Sequence, residues 1–102
     1  MSFGNLAKMA QQMQAAMARV QTELETLTVE GRAGGGAVTA TVTGKQELVS
    51  ITIDPKVVDP SDVEMLQDLV TAAVNDALRT ARTEGESRMA AVTGGLRLPG
   101  LG

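Results

Sequence analysis

Few side chains in this sequence are of the types that do chemistry. The chain has no histidine, cysteine or tyrosine, so its serines lack the usual activating base, and a Ser–Lys pair is the one nucleophilic arrangement left open. A carboxylate-rich stretch offers the oxygen ligands that Mg²⁺ and Ca²⁺ prefer, namely Asp54, Asp59, Asp62 and Glu64. Asp59 and Asp62 also flank a predicted helix start, where negative charge offsets the helix dipole. We favour that structural role and predict no catalysis, metal, cofactor or small-molecule substrate.

Basic side chains are the other candidates, because Lys and Arg bind nucleic-acid phosphates without reading the bases. Lys8 and Arg19 are eleven residues apart, a rotation of about 20° on a helix, so they share one outward stripe. Arg79 and Arg82 point away from the apolar stripe of a second predicted helix. These four residues are the candidate DNA contacts.

The overall charge weighs against that interpretation. Nine basic and twelve acidic residues give a net charge of −3, whereas nucleic-acid-binding domains are typically basic. The alternative is that these cations are ordinary solvated charges, offset by the nearby Glu23, Glu25, Asp76 and Glu84. A single aromatic residue, a Phe, disfavours a stacking platform for single strands, and no helix-turn-helix signal is present.

The element that must carry Lys8 and Arg19 is an N-terminal helix, predicted from about Asn5, its cap, to Leu27. Its apolar residues alternate four and three apart through three heptads. Such a helix is roughly 34 Å long, about the width of a domain of this size, so one small sheet cannot bury the whole seam. The seam residues predicted to be shared between the core and a second copy of the chain are Leu6, Met13, Met17, Val20 and Leu24.

Three strands are predicted next, over residues 27–32, 37–43 and 48–53, because apolar and polar residues alternate there. Gly44 followed by Lys45 suits a two-residue hairpin turn. In the register that this turn sets, Ala40 faces Val49, and the apolar residues of both strands share one side of the sheet.

A second helix is predicted after Pro60. Ser61 and Glu64 have the spacing of a capping box, and the apolar stripe that follows is Leu66, Val70, Ala73, Ala77 and Ala81. Gly85 interrupts this pattern, and the sequence does not decide whether the helix continues past it. We predict an α+β fold of α-β-β-β-α order, dimeric, with one domain over residues 1–93 and a Gly-rich mobile tail over 94–102.

Four segments, in order along nearly the whole chain, carry a family resemblance. They are the Met- and Gln-rich residues 6–14, Val-Ser-Ile-Thr-Ile-Asp-Pro at 49–55, residues 66–77 with Asp-Leu-Val and Asn-Asp-Ala, and Gly-Leu-Arg-Leu-Pro-Gly at 95–100. Together they resemble the YbaB/EbfC family. The resemblance implies a homodimeric, nucleoid-associated DNA-binding protein of the bacterial cytoplasm, with its DNA contacts on the terminal helices.

We therefore expect a protein that binds duplex DNA as a homodimer, with little sequence specificity, and alters the conformation or organisation of the DNA. No signal peptide or membrane span is apparent, so a cytoplasmic, soluble protein without a membrane partner is expected. The alternative is a protein-interaction module, such as a prefoldin-like holdase without DNA binding. Helix length distinguishes the two, because such chaperone arms are long coiled coils and the first helix here spans about three heptads.

Overall fold

The computed structural model describes residues 3–94 and shows two long helices flanking three strands. The elements are α1 (Phe3–Thr26), β1 (Thr28–Ala33), β2 (Val38–Thr43), β3 (Leu48–Ile53), a 3-10 turn (Pro55–Val57) and α2 (Val63–Gly94). The strands form one antiparallel sheet in the order β1-β2-β3. The predicted α-β-β-β-α fold is confirmed.

The N-terminal helix starts earlier than its sequence suggests. Because α1 begins at Phe3, Asn5 lies inside the helix, and its prediction as the cap is wrong. The C-terminal part of the seam packs on the same chain, with Val20 and Leu24 buried. Leu6 is 50% exposed and Met17 38%, and Met13 is half-buried, so the N-terminal part of the seam is only partly covered within residues 3–94.

The hairpin between β2 and β3 differs from the predicted register by two residues. Thr43 pairs with Glu47 instead of Gln46, its N–H donating to the Glu47 carbonyl at 2.8 Å, and Gln46 takes a positive φ of 64° in the longer loop. A bulge one pair further along adds the second shift, so Ala40 lies opposite Ile51 and not Val49. Beyond the bulge the shift of two keeps Ile51 and Ile53 on the predicted apolar side. Before the bulge the shift is one residue, so Leu48 lies opposite Val42 and on that side as well.

The core is a layer of small side chains between α2 and two of the strands. Its fully buried members are Val38, Ala40, Val42, Ala73, Ala77 and Ala81. Alanines on the helix allow its backbone to lie close to β1, closest at Gly31. Because α2 packs over β1 and β2, the third strand stays exposed along most of its length.

The start of α2 is capped differently from the prediction. The N–H of Met65 donates to Asp62 Oδ1 at 3.2 Å, whereas Ser61 donates both its N–H and its hydroxyl to Asp59 Oδ1. The capping box of Ser61 and Glu64 is therefore wrong. The Ser61 hydroxyl and N–H also lower the pKa of Asp59, so this carboxylate has a structural role in the loop. Within residues 3–94, no group of three or more acidic side chains is placed to hold a metal ion.

The second helix continues without interruption through Gly85 to Gly94. The sequence alone did not decide whether the helix passes Gly85. Gly94, predicted as the first residue of the tail, is instead the last residue of the helix. The rest of the predicted tail lies outside the described residues. At 32 residues the helix is about 48 Å long, and the molecule measures 71 × 26 × 16 Å. No helix within residues 3–94 is long and apolar enough to cross a membrane.

Candidate nucleic-acid interface

Most of α1 lies on the surface. Its only buried residues are Val20 and Leu24, near its C-terminal end, and none of residues 3–19 is buried. We call residues 3–19 the arm. At 1.5 Å per residue the arm is about 25 Å long, so a considerable length of helix is accessible from its outward side.

The arm carries positive charge only. Lys8 and Arg19 are its charged residues, and the first acidic side chain of α1 is Glu23. Both cations are exposed, and neither forms a salt bridge with any other residue in the range 3–94. They lie about 16 Å apart along one stripe. Two unpaired cations on an exposed helix can bind the phosphates of a polyanion without first breaking an internal ion pair.

The two candidate cations of α2 are in different situations. Arg79 lies 3.8 Å from Asp76 Oδ1, and the other carboxylate oxygen of Asp76 accepts the N–H of Arg32 at 3.1 Å. Asp76 therefore ties α2 to β1 and partly offsets the charge of Arg79. Arg82 is exposed and has no ion pair among the described residues, so its charge is not offset as that of Arg79 is.

The four cations are divided between the two helices, two on each. Arg79 and Arg82 lie within one turn of each other on α2, whereas Lys8 and Arg19 are both on α1. The two helices contact each other near the buried end of α1. The four cations therefore belong to two separate basic stripes.

Sequence reasoning missed the cation that joins the two helices. Arg88 Nε donates to Glu84 Oε1 at 3.0 Å, and Arg88 Nη1 lies 3.4 Å from Glu23 Oε2. The spacing of Glu84 and Arg88, four residues on one helix, is a recognisable signal. The contact between Arg88 and Glu23 has no such sequence signal, since 65 residues separate them.

Five of the twelve acidic residues are clustered in one segment that lies away from the arm. Residues 54–68 contain five acidic side chains and one basic, a net charge of −4, whereas residues 3–22 carry +2. α2 begins near the β1–β2 turn, since Gly34 lies against Leu69, and passes the β2–β3 turn where Gly85 approaches Gly44. The acidic segment therefore lies at the opposite end of the sheet from the base of the arm. The net charge of −3 is therefore distributed unevenly, and the arm itself is positive.

The chain is similar to known proteins in both sequence and fold. The model of the YbaB/EbfC DNA-binding family matches residues 1–96. The nucleoid-associated protein NT01CX_0824 of Clostridium novyi is 54% identical, covering 99% of this chain and 89% of the relative, and a nucleoid-associated protein of Chloroflexus aurantiacus is 56% identical, covering 95% and 97%. The crystal structure of the uncharacterized protein HP0035 from Helicobacter pylori has the same fold, with a TM-score of 0.73 at 24% identity over 95% of this chain and 99% of that one. The chain belongs to the YbaB/EbfC DNA-binding family.

Proposed function

We propose that this chain is a nucleoid-associated protein that binds duplex DNA as a homodimer, with little sequence preference, in the bacterial cytoplasm. The family match and the names of the relatives support a DNA-binding, nucleoid-associated role and point away from catalysis. The observation that carries the duplex proposal is the arm, an exposed helix whose only charges are two cations without an ion pair among residues 3–94. Because such contacts reach phosphates and not base edges, they bind many sequences equally well.

An uncovered apolar surface supports the homodimer. In β3, Leu48 is 50% exposed and Val49 58%, and the outer edge of this strand has no partner within residues 3–94. Leu48 pairs with Val42 and so lies on the side of the sheet that α2 covers over the other two strands. A free strand edge with exposed apolar side chains is a site where another chain can bind. A second copy seated there would bury this surface and double the number of arms.

The proposal is tested by fluorescence anisotropy of a labelled duplex, titrated with the protein at several salt concentrations, beside light scattering of the free protein. We expect a dimer of two 10.6 kDa chains and a log affinity that falls linearly with log salt, because binding releases counterions. Duplexes of unrelated sequence should bind with similar affinity. A salt-independent affinity would reject phosphate binding, and a stable monomer would reject the dimer.

The dimer surface has its own test in Leu48→Asp. A charge on this apolar patch should shift the protein to a monomer in light scattering, since an unpaired carboxylate cannot be buried cheaply. The matched control is Thr52→Asp, which places the same charge on the same strand, on the opposite face of the sheet. We expect the control to remain dimeric. Dissociation by Thr52→Asp, with Leu48→Asp still dimeric, would place the interface on the other face.

A further inference from the structure

The arm is attached to the rest of the protein through a small joint. Leu24 is 5% exposed and lies between two glycines, one in the β2–β3 turn and one in α2. A Cβ on Gly44 would lie 2.8 Å from Leu24 Cδ2, and one on Gly85 would lie 3.7 Å from Leu24 Cδ1. Because neither neighbour has a side chain, the leucine rests against backbone on these two sides. Such a socket fixes where α1 meets the body, and the two glycines add no side-chain packing that would restrain its direction. The other buried residue of α1 is Val20, one turn earlier.

A second point of attachment lies one residue away. Glu23, next to Leu24, faces Arg88, and the guanidinium of Arg88 also contacts Glu84 on its own helix. The Arg88 side chain is 35% exposed, against 67% for Arg79 and 62% for Arg32, so water screens its ion pairs less than theirs. On another side of α1, Gln21 accepts a hydrogen bond from the Lys45 ammonium of the β2–β3 turn. The Glu23–Arg88 contact is the one ion pair between α1 and α2 within residues 3–94.

We infer that Arg88 is a positioning residue that sets the direction of the arm. Leu24 acts as the pivot, and the bridge from Glu84 through Arg88 to Glu23 is the restraint that holds α1 at one angle to α2. Lys8 lies about 24 Å from the pivot along the helix axis, so a tilt of 10° there displaces it by about 4 Å. That displacement is comparable with the spacing of neighbouring phosphates on one DNA strand, about 3.4 Å along the axis. The effect of this displacement on DNA binding rests on the proposed function, whereas the restraint of the arm by Arg88 does not.

The arm direction is tested without DNA by electron-spin distance measurement. The chain has no cysteine, so Ala15→Cys on the arm and Thr71→Cys on α2, both at exposed positions, give two clean label sites. Labelled chain is diluted into excess unlabelled chain, so that only pairs within one protomer contribute. Arg88→Met, which keeps the length of the stem, should broaden the distance distribution or shift it by several ångströms.

Two further variants keep this test decisive. Arg82→Met removes an arginine of the same helix that forms no ion pair within residues 3–94, and its distribution should match the parent protein. Glu23→Gln weakens only the contact between the helices, because an amide oxygen accepts from a guanidinium less strongly than a carboxylate does. It should reproduce the broadening if Arg88→Met fails to fold. Parent-like distributions for Glu23→Gln and for a folded Arg88→Met would overturn the inference.

The DNA affinity of Glu23→Gln distinguishes a loss of arm direction from a change of charge, because the two effects have opposite signs. Glu23→Gln removes a negative charge, which by electrostatics alone should raise DNA affinity; loss of the arm direction should lower it instead, by several-fold in duplex anisotropy. Glu25→Gln makes the same charge change two residues away, where no ion pair forms within residues 3–94, and should raise affinity slightly. Equal gains in both variants would overturn the positioning role in DNA binding. Absence of DNA binding in the parent protein would instead reject the proposed function and leave the spectroscopic result standing.

Discussion

Replacing Gly31 by alanine is expected to remove a large part of the stability of the domain. The added Cβ would lie 2.2 Å from the backbone N of Ala77 and 2.3 Å from the carbonyl O of Ala73. Overpacking typically costs about 1–3 kcal/mol where side chains can move aside. Here the neighbours are backbone atoms, so β1 and α2 must separate, and we expect about 3 kcal/mol or more. Since small domains are stable by only about 5–15 kcal/mol, urea unfolding followed by circular dichroism should show a large loss.

The same substitution at Gly85 is the matched control, and we expect the opposite sign. A Cβ at Gly85 would lie 3.7 Å from Leu24 Cδ1, an ordinary contact, and 3.9 Å from the Gly44 carbonyl O. Because Gly85 is inside a helix, alanine should stabilise the protein by roughly 0.5–1 kcal/mol through helix propensity. If Gly31→Ala unfolds at the urea concentration of the parent protein, the close approach of β1 to α2 is wrong.

Periodicity was sufficient to predict the elements of this fold but not the local geometry of its turns. The seam through Met13 and Val20 predicted α1, and the stripe through Ala73 and Ala77 predicted α2, because one buried face repeats at helical spacing. The hairpin register depends instead on the positive φ of Gln46 and on one bulged residue. Neither feature changes the apolar pattern, so the pattern cannot reveal them.

The candidate interface was only partly accessible to sequence reasoning, because its charges act through their positions in space. The shared stripe of Lys8 and Arg19 follows from helical geometry alone. The separation of the acidic segment from the arm requires knowing that α2 runs along the sheet from one end to the other. The Arg88 bridge requires that α1 and α2 meet, a tertiary contact that no local spacing encodes.

Neutralising the arm by Lys8→Gln and Arg19→Gln together is expected to have the largest effect on DNA binding. Each dimer would lose four phosphate contacts. Since each contact contributes about 0.9 to the slope of log affinity against log salt, the slope should fall by about 3–4. At 0.1 M salt the counterion release of four contacts corresponds to an affinity loss of roughly a thousand- to ten-thousand-fold. Anisotropy of a labelled duplex at several salt concentrations measures both quantities.

The matched control for the arm variant is Arg32→Gln with Lys56→Gln, which changes the net charge by the same amount. Arg32 already pairs with Glu30 on the sheet, and Lys56 lies within the acidic segment, so neither is placed to reach DNA beside the arm. We expect this control to change affinity slightly and to leave the salt slope nearly as it is. An equal loss in both double variants would mean that DNA senses the total charge of the protein. In that case the arm would have no special role, and the cations that contact phosphate would have to be sought elsewhere on the surface.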